Sequence, residues 1–296
     1  MKIKILLLIS LLLFSFACNR QTSTGAKRIG VTLYNREHQF YRDLEAGLKE
    51  EAAKRGFELI VQSGDKDIAK QQSQIENFIL QQVDAIVVCP SDTKAIVPAI
   101  QKSNAANIPV FTADISSSGG KVTSHIASDN VGGGRIAAEY IAKALNGEGE
   151  VGIIGQPEVQ STIDREKGFK EEMAKHPKIK IVSVLNGEGA RDRALKAAED
   201  MLQGNPNIKA IFAINDDSAL GVLSAAEARG KKDLIIVGYD ATPEAMNAIR
   251  RGSALKADVA QEPKNIGAKT IEAIANHLSG TKVEPVIAIP VKIVDK

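Results

Sequence analysis

Ile211-Phe-Ala-Ile-Asn-Asp-Asp217 runs an apolar segment straight into three polar side chains. Residues 210–214 have the make-up of a buried strand, and Ala219, Leu220, Leu223 and Ala226 follow at helical spacing, which predicts a helix opening at Ser218. In an open α/β sheet, ligands sit beyond the carboxyl ends of the strands, where Asn215 and Asp216 stand here. The design recurs in Ile235-Ile-Val-Gly-Tyr-Asp240, Ile108-Pro-Val-Phe-Thr-Ala-Asp114 and Ala254-Leu-Lys-Ala-Asp-Val-Ala-Gln261. Each apolar run ends in a carboxylate or an amide, so the chain offers several hydrogen-bonding groups at one predicted sheet edge.

Outward from these runs, short β-rich segments alternate with amphipathic helical ones, the pattern of parallel sheets covered on both faces. Strands are predicted at 29–33, 57–61, 84–89, 108–113 and 124–127. Between them lie a helix with Phe40, Leu44, Leu48 and Ala52 on one face and Gly56 as its carboxyl cap, and helices over 66–82 and 93–104. A second unit repeats the design, with helices at 131–145, 161–174, 191–202, 243–251 and 263–278. Its strands are predicted at 150–154, 180–184, 210–214, 234–238 and 255–260, with 286–294 as one last strand. The fold class is α/β, with two similar Rossmann-like parallel-sheet domains. Gly132-Gly-Gly134 lacks the spacing of a phosphate-binding loop and is read as close packing of a helix against a strand.

The amino terminus is set apart. Lys2 and Lys4 precede an apolar run over 5–16 that is too short for a membrane-spanning helix, and Ala17-Cys18 follows. This resembles a bacterial lipoprotein signal: residues 1–17 form the signal peptide, Cys18 takes the lipid, and 18–27 form a linker. Ser15 stands where the usual motif has Leu, and a plain secretory signal is the alternative. Taking Lys2 and Lys4 from the 38 basic residues leaves 36, equal to the 36 acidic ones. That balance, with no basic run, argues against nucleic acid as a partner. Aromatics at 4% with no Trp exclude a carbohydrate site built on stacked Trp rings. His38, His125, His176 and His277 show no metal-ligand spacing, and no metal or cofactor is expected. Cys89, ending an apolar run, reads first as a small buried hydrophobe, with neither His nor third group to make it a nucleophile.

Five stretches together resemble the periplasmic sugar-binding proteins of the ribose-binding type, which serve ABC importers. They are 107–114, 124–130, 210–216, 236–243 and 259–263, and the likeness spans roughly 28–294. The resemblance implies two α/β lobes joined by three crossings and closing on one ligand. The crossings fall near Ser128-Asp129, Gln261-Glu262 and Ile289-Pro290. The lobes are then 28–128 with 262–289, and 129–261 with 290–296.

Carried onto matching positions, the resemblance implies that Phe40 and Tyr41 cover the faces of a sugar ring and Asp114 accepts paired hydroxyls. Arg165 donates to ring or hydroxyl oxygens, and Asn215, Asp240 and Gln261 supply contacts from the second lobe and the hinge. Tyr34, His38 and Cys89 complete the candidate ligand-binding set. The chemistry suits a sugar, since carboxylates accept from hydroxyl pairs, Arg is a forked donor and aromatic faces cover C–H faces. Asn215 and Asp240 have helix capping as an alternative role.

Four positions depart from the ribose pattern. Ile115 replaces an Arg, His38 and Cys89 each replace an Asn, and Gly187-Glu-Gly189 stands where an aromatic is usual. A pentose, a hexose or a polyol therefore all fit. The implied partners are an ABC permease and, alternatively, a chemoreceptor, with the protein monomeric and lipid-anchored in the periplasm or at the cell surface. A repressor of the same core fold would need a helix-turn-helix where the leader stands. A glycosidase would need the carboxylates as a catalytic pair. Catalysis is not expected.

Overall fold

The computed structural model describes residues 25–296, so the leader and Cys18 lie outside the described residues. In chain order the first elements are β1 (Arg28–Leu33), α1 (Gln39–Arg55), β2 (Glu58–Ser63), α2 (Ile68–Leu80), β3 (Ala85–Val88), α3 (Val97–Ala105), β4 (Val110–Ala113) and β5 (Ser124–Ser128). Next come α4 (Asn130–Ala144), β6 (Glu148–Gly155), α5 (Gln160–Met173), β7 (Lys178–Asn186), α6 (Arg191–Gly204), β8 (Ile208–Ala213) and α7 (Asp216–Ala228). The chain ends with β9 (Ile235–Asp240), α8 (Pro243–Arg250), β10 (Leu255–Ala260), α9 (Pro263–Leu278), β11 (Val286–Ile289) and β12 (Lys292–Val294).

The strands form two sheets, ordered β11-β5-β4-β3-β1-β2 and β12-β10-β9-β8-β6-β7. All pairings are parallel except β10 with β12. Parallel sheets need apolar cover on both faces, and β3 and β4 are buried along their whole length. The first sheet has one core around Leu44, Leu48 and Ile271 and another around Ile75, Phe78 and Ile100. The second has cores around Leu223 and Ile236 and around Phe169 and Phe212, whose rings stack at 4.7 Å.

Most predicted boundaries lie within two residues of the observed ones. Two differ for clear reasons. The helix predicted from 93 starts at Val97, because Asp92 first turns the chain by accepting from the Lys94 and Ala95 amides, and Pro98 fixes the first helical turn. The single last strand over 286–294 is two strands in different sheets. Val286–Ile289 runs parallel to β5, whereas Lys292–Val294 runs antiparallel to β10. Pro290, with no N–H to give a ladder, stands where the chain leaves one sheet for the other.

The three-glycine run opens α4. A Cβ on Gly133 would stand 2.1 Å from the Tyr239 hydroxyl of β9, the expected helix-on-strand contact. Gly134 does something else: its Cβ would meet the Arg165 carbonyl at 2.0 Å, and Gly168 on α5 would meet the Val131 carbonyl at 1.9 Å. Helices α4 and α5 therefore touch backbone to backbone, which sets the position of Arg165.

Candidate solute-binding chamber

The carboxyl ends of both sheets face one chamber. The loop after β1 brings Tyr34, the start of α1 brings His38, Phe40 and Tyr41, and the end of β4 brings Asp114 and Ile115. From the second sheet come Gln156 after β6, Thr162 and Arg165 on α5, Asn215 after β8, Asp240 at the end of β9 and Gln261 after β10. Past His38, Phe40 and Asp240 this inner chamber of about 40 Å³ opens into a wider space of about 300 Å³.

One wall is aromatic. Tyr34 and Tyr41 stack at 5.4 Å, and Phe40 meets Tyr41 edge-on at 5.2 Å. Phe40 and Tyr41 both line the chamber, although neighbours on a helix rarely share a face, because α1 starts there and its first turn is met end-on.

Two carboxylates face each other across the chamber from left-hand-type backbone, Asp114 at φ 65 and Asp240 at φ 120. The Tyr41 hydroxyl donates to Asp114 Oδ2 at 2.6 Å, and Asp114 Oδ1 is buried without a donor among the described residues. Burial raises the Asp114 pKa, while Arg165 and the Tyr41 hydroxyl oppose the rise. Asp240 is pushed well up by burial, with Arg165 opposing. The Gln261 amide donates to Asp240 Oδ1 at 2.6 Å, which leaves Gln261 Oε1 buried and unpartnered.

Arg165 is held on several sides. Its Nε donates to Asn130 Oδ1 at 2.9 Å and an Nη donates to the Ile214 carbonyl at 2.7 Å. The guanidinium lies 3.8 Å from the Tyr239 ring centre and 4.0 Å from Asp240 Oδ1. Asn215 does cap its helix: Oδ1 accepts from the Ser218 amide at 2.9 Å, and its Nδ2 donates to the Gly189 carbonyl at 3.1 Å. Asp240 caps nothing; α8 is capped by the Thr242 hydroxyl.

Polar contacts also cross from one lobe to the other. Gln156 Nε2 donates to the Tyr34 hydroxyl at 3.0 Å, and the Gln160 amide donates to Thr93 Oγ1 at 3.2 Å. His38 Nε2 lies 3.5 Å from Asp217 Oδ2, yet burial outweighs that carboxylate and holds the imidazole pKa below its usual value.

One sequence expectation needs correction. Cys89 is fully buried in the first core and does not line the chamber. It continues β3, with its amide donating to the Thr32 carbonyl, and its thiol is raised well above the usual pKa by burial. Asp216, at the ligand end of its strand, borders the wider space with its carboxylate buried, Oδ2 accepting from the Thr242 amide. Gln156, Asn130 and Tyr239 were missed as part of the site. Gln156 carried a signal, an amide directly after an apolar run, the same pattern that marked Asn215. Asn130 carried none.

Among the described residues no His, Cys, Asp and Glu group could hold a metal ion, and no helix is long and apolar enough to cross a membrane. Residues 29–282 match the periplasmic binding protein domain family. The chain is 35% identical to the ribose import binding protein of Bacillus subtilis, over 98% of this chain and 97% of that one. A Bacillus halodurans ABC transporter solute binding protein with bound myo-inositol superposes with a TM-score of 0.86 at 33% identity, covering 93% of this chain and 96% of that one. An Actinobacillus succinogenes ABC transporter periplasmic solute binding protein with bound D-allose gives a TM-score of 0.85 at 29% identity, covering 91% and 98%. The chain belongs to the periplasmic binding protein family, in its ribose-binding type, whose members are extracytoplasmic sugar-binding components of ABC importers and not enzymes.

Proposed function

We propose that this protein captures one monosaccharide or polyol between its lobes, 28–128 with 262–289 and 129–261 with 290–296, and delivers it to an ABC permease. One observation carries the ligand class. Asp114 Oδ1 and Gln261 Oε1, from opposite lobes, are buried acceptors without donors in residues that line one chamber. Each such group costs about 1–3 kcal/mol until a donor reaches it, and a neutral molecule with hydroxyls on several carbons supplies donors to both. The aromatic wall of Phe40, Tyr41 and Tyr34 suits the C–H face of a ring. Contacts from both lobes favour the closed arrangement when ligand is present.

A ring held between Asp114 and Gln261 has room to extend past His38 toward the wider space. Ile115, in place of an Arg, removes a donor from the first lobe, which favours ligands that ask less of that side than ribose does. The relatives that bind ribose, D-allose and myo-inositol bracket the choice. Lipidation at Cys18 would keep the protein at the membrane beside its permease.

Thermal unfolding of the chain from Thr22 onward, against pentoses, hexoses and polyols, tests the reading. A ligand at 100 times its dissociation constant adds about 2.7 kcal/mol of stability. A hit abolished by Asp114→Ala and by Asp240→Ala supports the chamber as its site, and no shift with any member of the panel overturns the sugar reading.

A further inference from the structure

Beneath the turn that carries Asp240 lies a second pair of acids, one on α7 and one on β10. Asp216 is 2% and Asp258 0% exposed. Each commits one oxygen to that turn: the Thr242 amide donates to Asp216 Oδ2 at 2.6 Å and the Ala241 amide donates to Asp258 Oδ1 at 2.9 Å. The remaining oxygens, Asp216 Oδ1 and Asp258 Oδ2, have no donor among the described residues. Both converge on Gly238, where a Cβ would stand 3.0 Å from the first and 2.5 Å from the second. With both free oxygens at that one point, the two carboxyls face each other.

Two carboxylates do not face each other in a dry interior; one proton between them satisfies both oxygens. The other charges nearby agree. Asp217 on α7 and Asp240 on β9 are both anionic neighbours, and Arg165 on α5 is directed at Asp240. Neither Asp216 nor Asp258 has an ion-pair partner among the described residues.

We propose that Asp216 and Asp258 share one proton, and that this acid–carboxylate bridge is the positioning device for Asp240. By holding the amides of Ala241 and Thr242 it fixes the turn in which Asp240 has φ 120 and Ala241 φ 55. The consequence for ligand rests on the solute-binding reading, whereas the shared proton is readable without any ligand. Burial raises both acids, Asp258 well above its usual value. A raised folded pKa gives stability that is full below the unfolded value and is lost as pH climbs through the folded one.

Thermal unfolding of the ligand-free protein between pH 5 and pH 10 tests the bridge, in wild type, Asp216→Asn, Asp258→Asn and the double variant. In either single variant the amide keeps its backbone acceptor role and donates across the gap, as the protonated acid does. Each single variant is expected to melt near the wild type at pH 5 and to show a shallower decline as pH rises, the remainder belonging to other buried acids such as Asp240 and Cys89. In the double variant both amide oxygens are held by backbone N–H groups and two NH₂ groups face each other, so it melts below either single. A decline as steep in Asp258→Asn as in the wild type, or a double variant as stable as the singles, overturns the proposal.

Titration with D-ribose, D-allose and myo-inositol adds the positioning readout. Wild-type affinity is expected to fall by up to roughly tenfold per pH unit once pH passes the folded pKa of the pair, and that of Asp258→Asn to fall less over the same range. An equal alkaline loss in both overturns the positioning role. If no sugar binds any variant while the ligand-free profiles behave as stated, the shared proton stands and the solute reading fails.

Discussion

Asp114 shows how one side chain joins chemistry to backbone cost. Its φ of 65 is tolerated by Asp better than by most residues, and its two oxygens have different neighbours. Oδ2 accepts from Tyr41, and Oδ1 has no protein donor. Asp114→Asn keeps an acceptor for Tyr41 but replaces the free acceptor with an NH₂ group. Affinity for the best sugar of the panel is expected to fall by about tenfold or more, the worth of 1–3 kcal/mol, with unfolding of the free protein little changed. Calorimetric titration checks this, and equal affinity would remove Asp114 from the ligand's contacts. Tyr41→Phe removes an interaction that lowers the Asp114 pKa, so the carboxyl protonates more readily. Hydroxyls donate to the carboxylate form, hence affinity falls as pH falls through the raised Asp114 pKa. In Tyr41→Phe that acid limb is expected to begin at higher pH. A second titrating residue lies away from the chamber. His125, whose Nδ1 is 2.9 Å from Thr112 Oγ1, is held by burial at about 4 instead of 6.5. A depressed histidine stabilises the fold fully above its unfolded pKa and less as pH falls. Between about pH 6.5 and 4 the wild type is therefore expected to lose stability that His125→Gln does not lose, read from urea unfolding of both proteins.

At the scale of elements, the contact of α4 with α5 sets the site most directly. Gly134→Ala would drive a methyl into the Arg165 carbonyl at 2.0 Å, a backbone atom that no rotamer change can move away. The helices must separate, at a cost of about 1–3 kcal/mol, and Arg165 must shift from Asn130 and the Ile214 carbonyl. A lower melting temperature together with weaker sugar binding is expected; unchanged values for both would mean the helices are not in register here. That contact was only half legible in the sequence, since three successive glycines announce a close approach without naming the neighbour. The strands and helices were legible because buried parallel strands and one-sided helices have different apolar periods. The run over 286–294 defeated that reading, as both of its parts are strand-like and only the change of sheet at Pro290 divides them. The polar ends of the runs located Asn215, Asp240, Asp114 and Gln261 in the lining, and placed Asp216 beside the wider space without showing that its carboxylate is buried. Side-chain direction at a strand end depends on the next turn, which a single sequence does not specify. Nothing in the sequence pairs Asp258 with Asp216, which lies on α7 and meets it only at the turn that both hold in the folded molecule.

At the scale of the whole molecule, the proposed capture of a sugar depends on the balance between the lobes, and Gln156 lies on the path between them. Its amide donates to the Tyr34 hydroxyl across the chamber, while Tyr34 itself stacks on Tyr41, which holds Asp114. The aromatic wall of one lobe is thereby tied to the loop after β6 of the other, beside the atoms proposed to meet ligand. A neutral hydrogen bond of this kind contributes about 0.5–1.5 kcal/mol, enough to change the closed fraction several-fold without altering either lobe. In the proposed closing motion this bond forms as the lobes meet, so its loss penalises the closed complex and leaves the encounter untouched. Gln156→Ala is accordingly expected to raise the sugar's dissociation rate by roughly three- to tenfold, with the association rate nearly constant. The unfolding temperature of the ligand-free protein is expected to change little. Stopped-flow mixing with the panel's best sugar separates the two rates. A slower association with unchanged dissociation would mean that Gln156 shapes the entrance instead of the closed state. An effect of the same size on ligand-free stability would mean that the bond belongs to the fold and not to lobe closure.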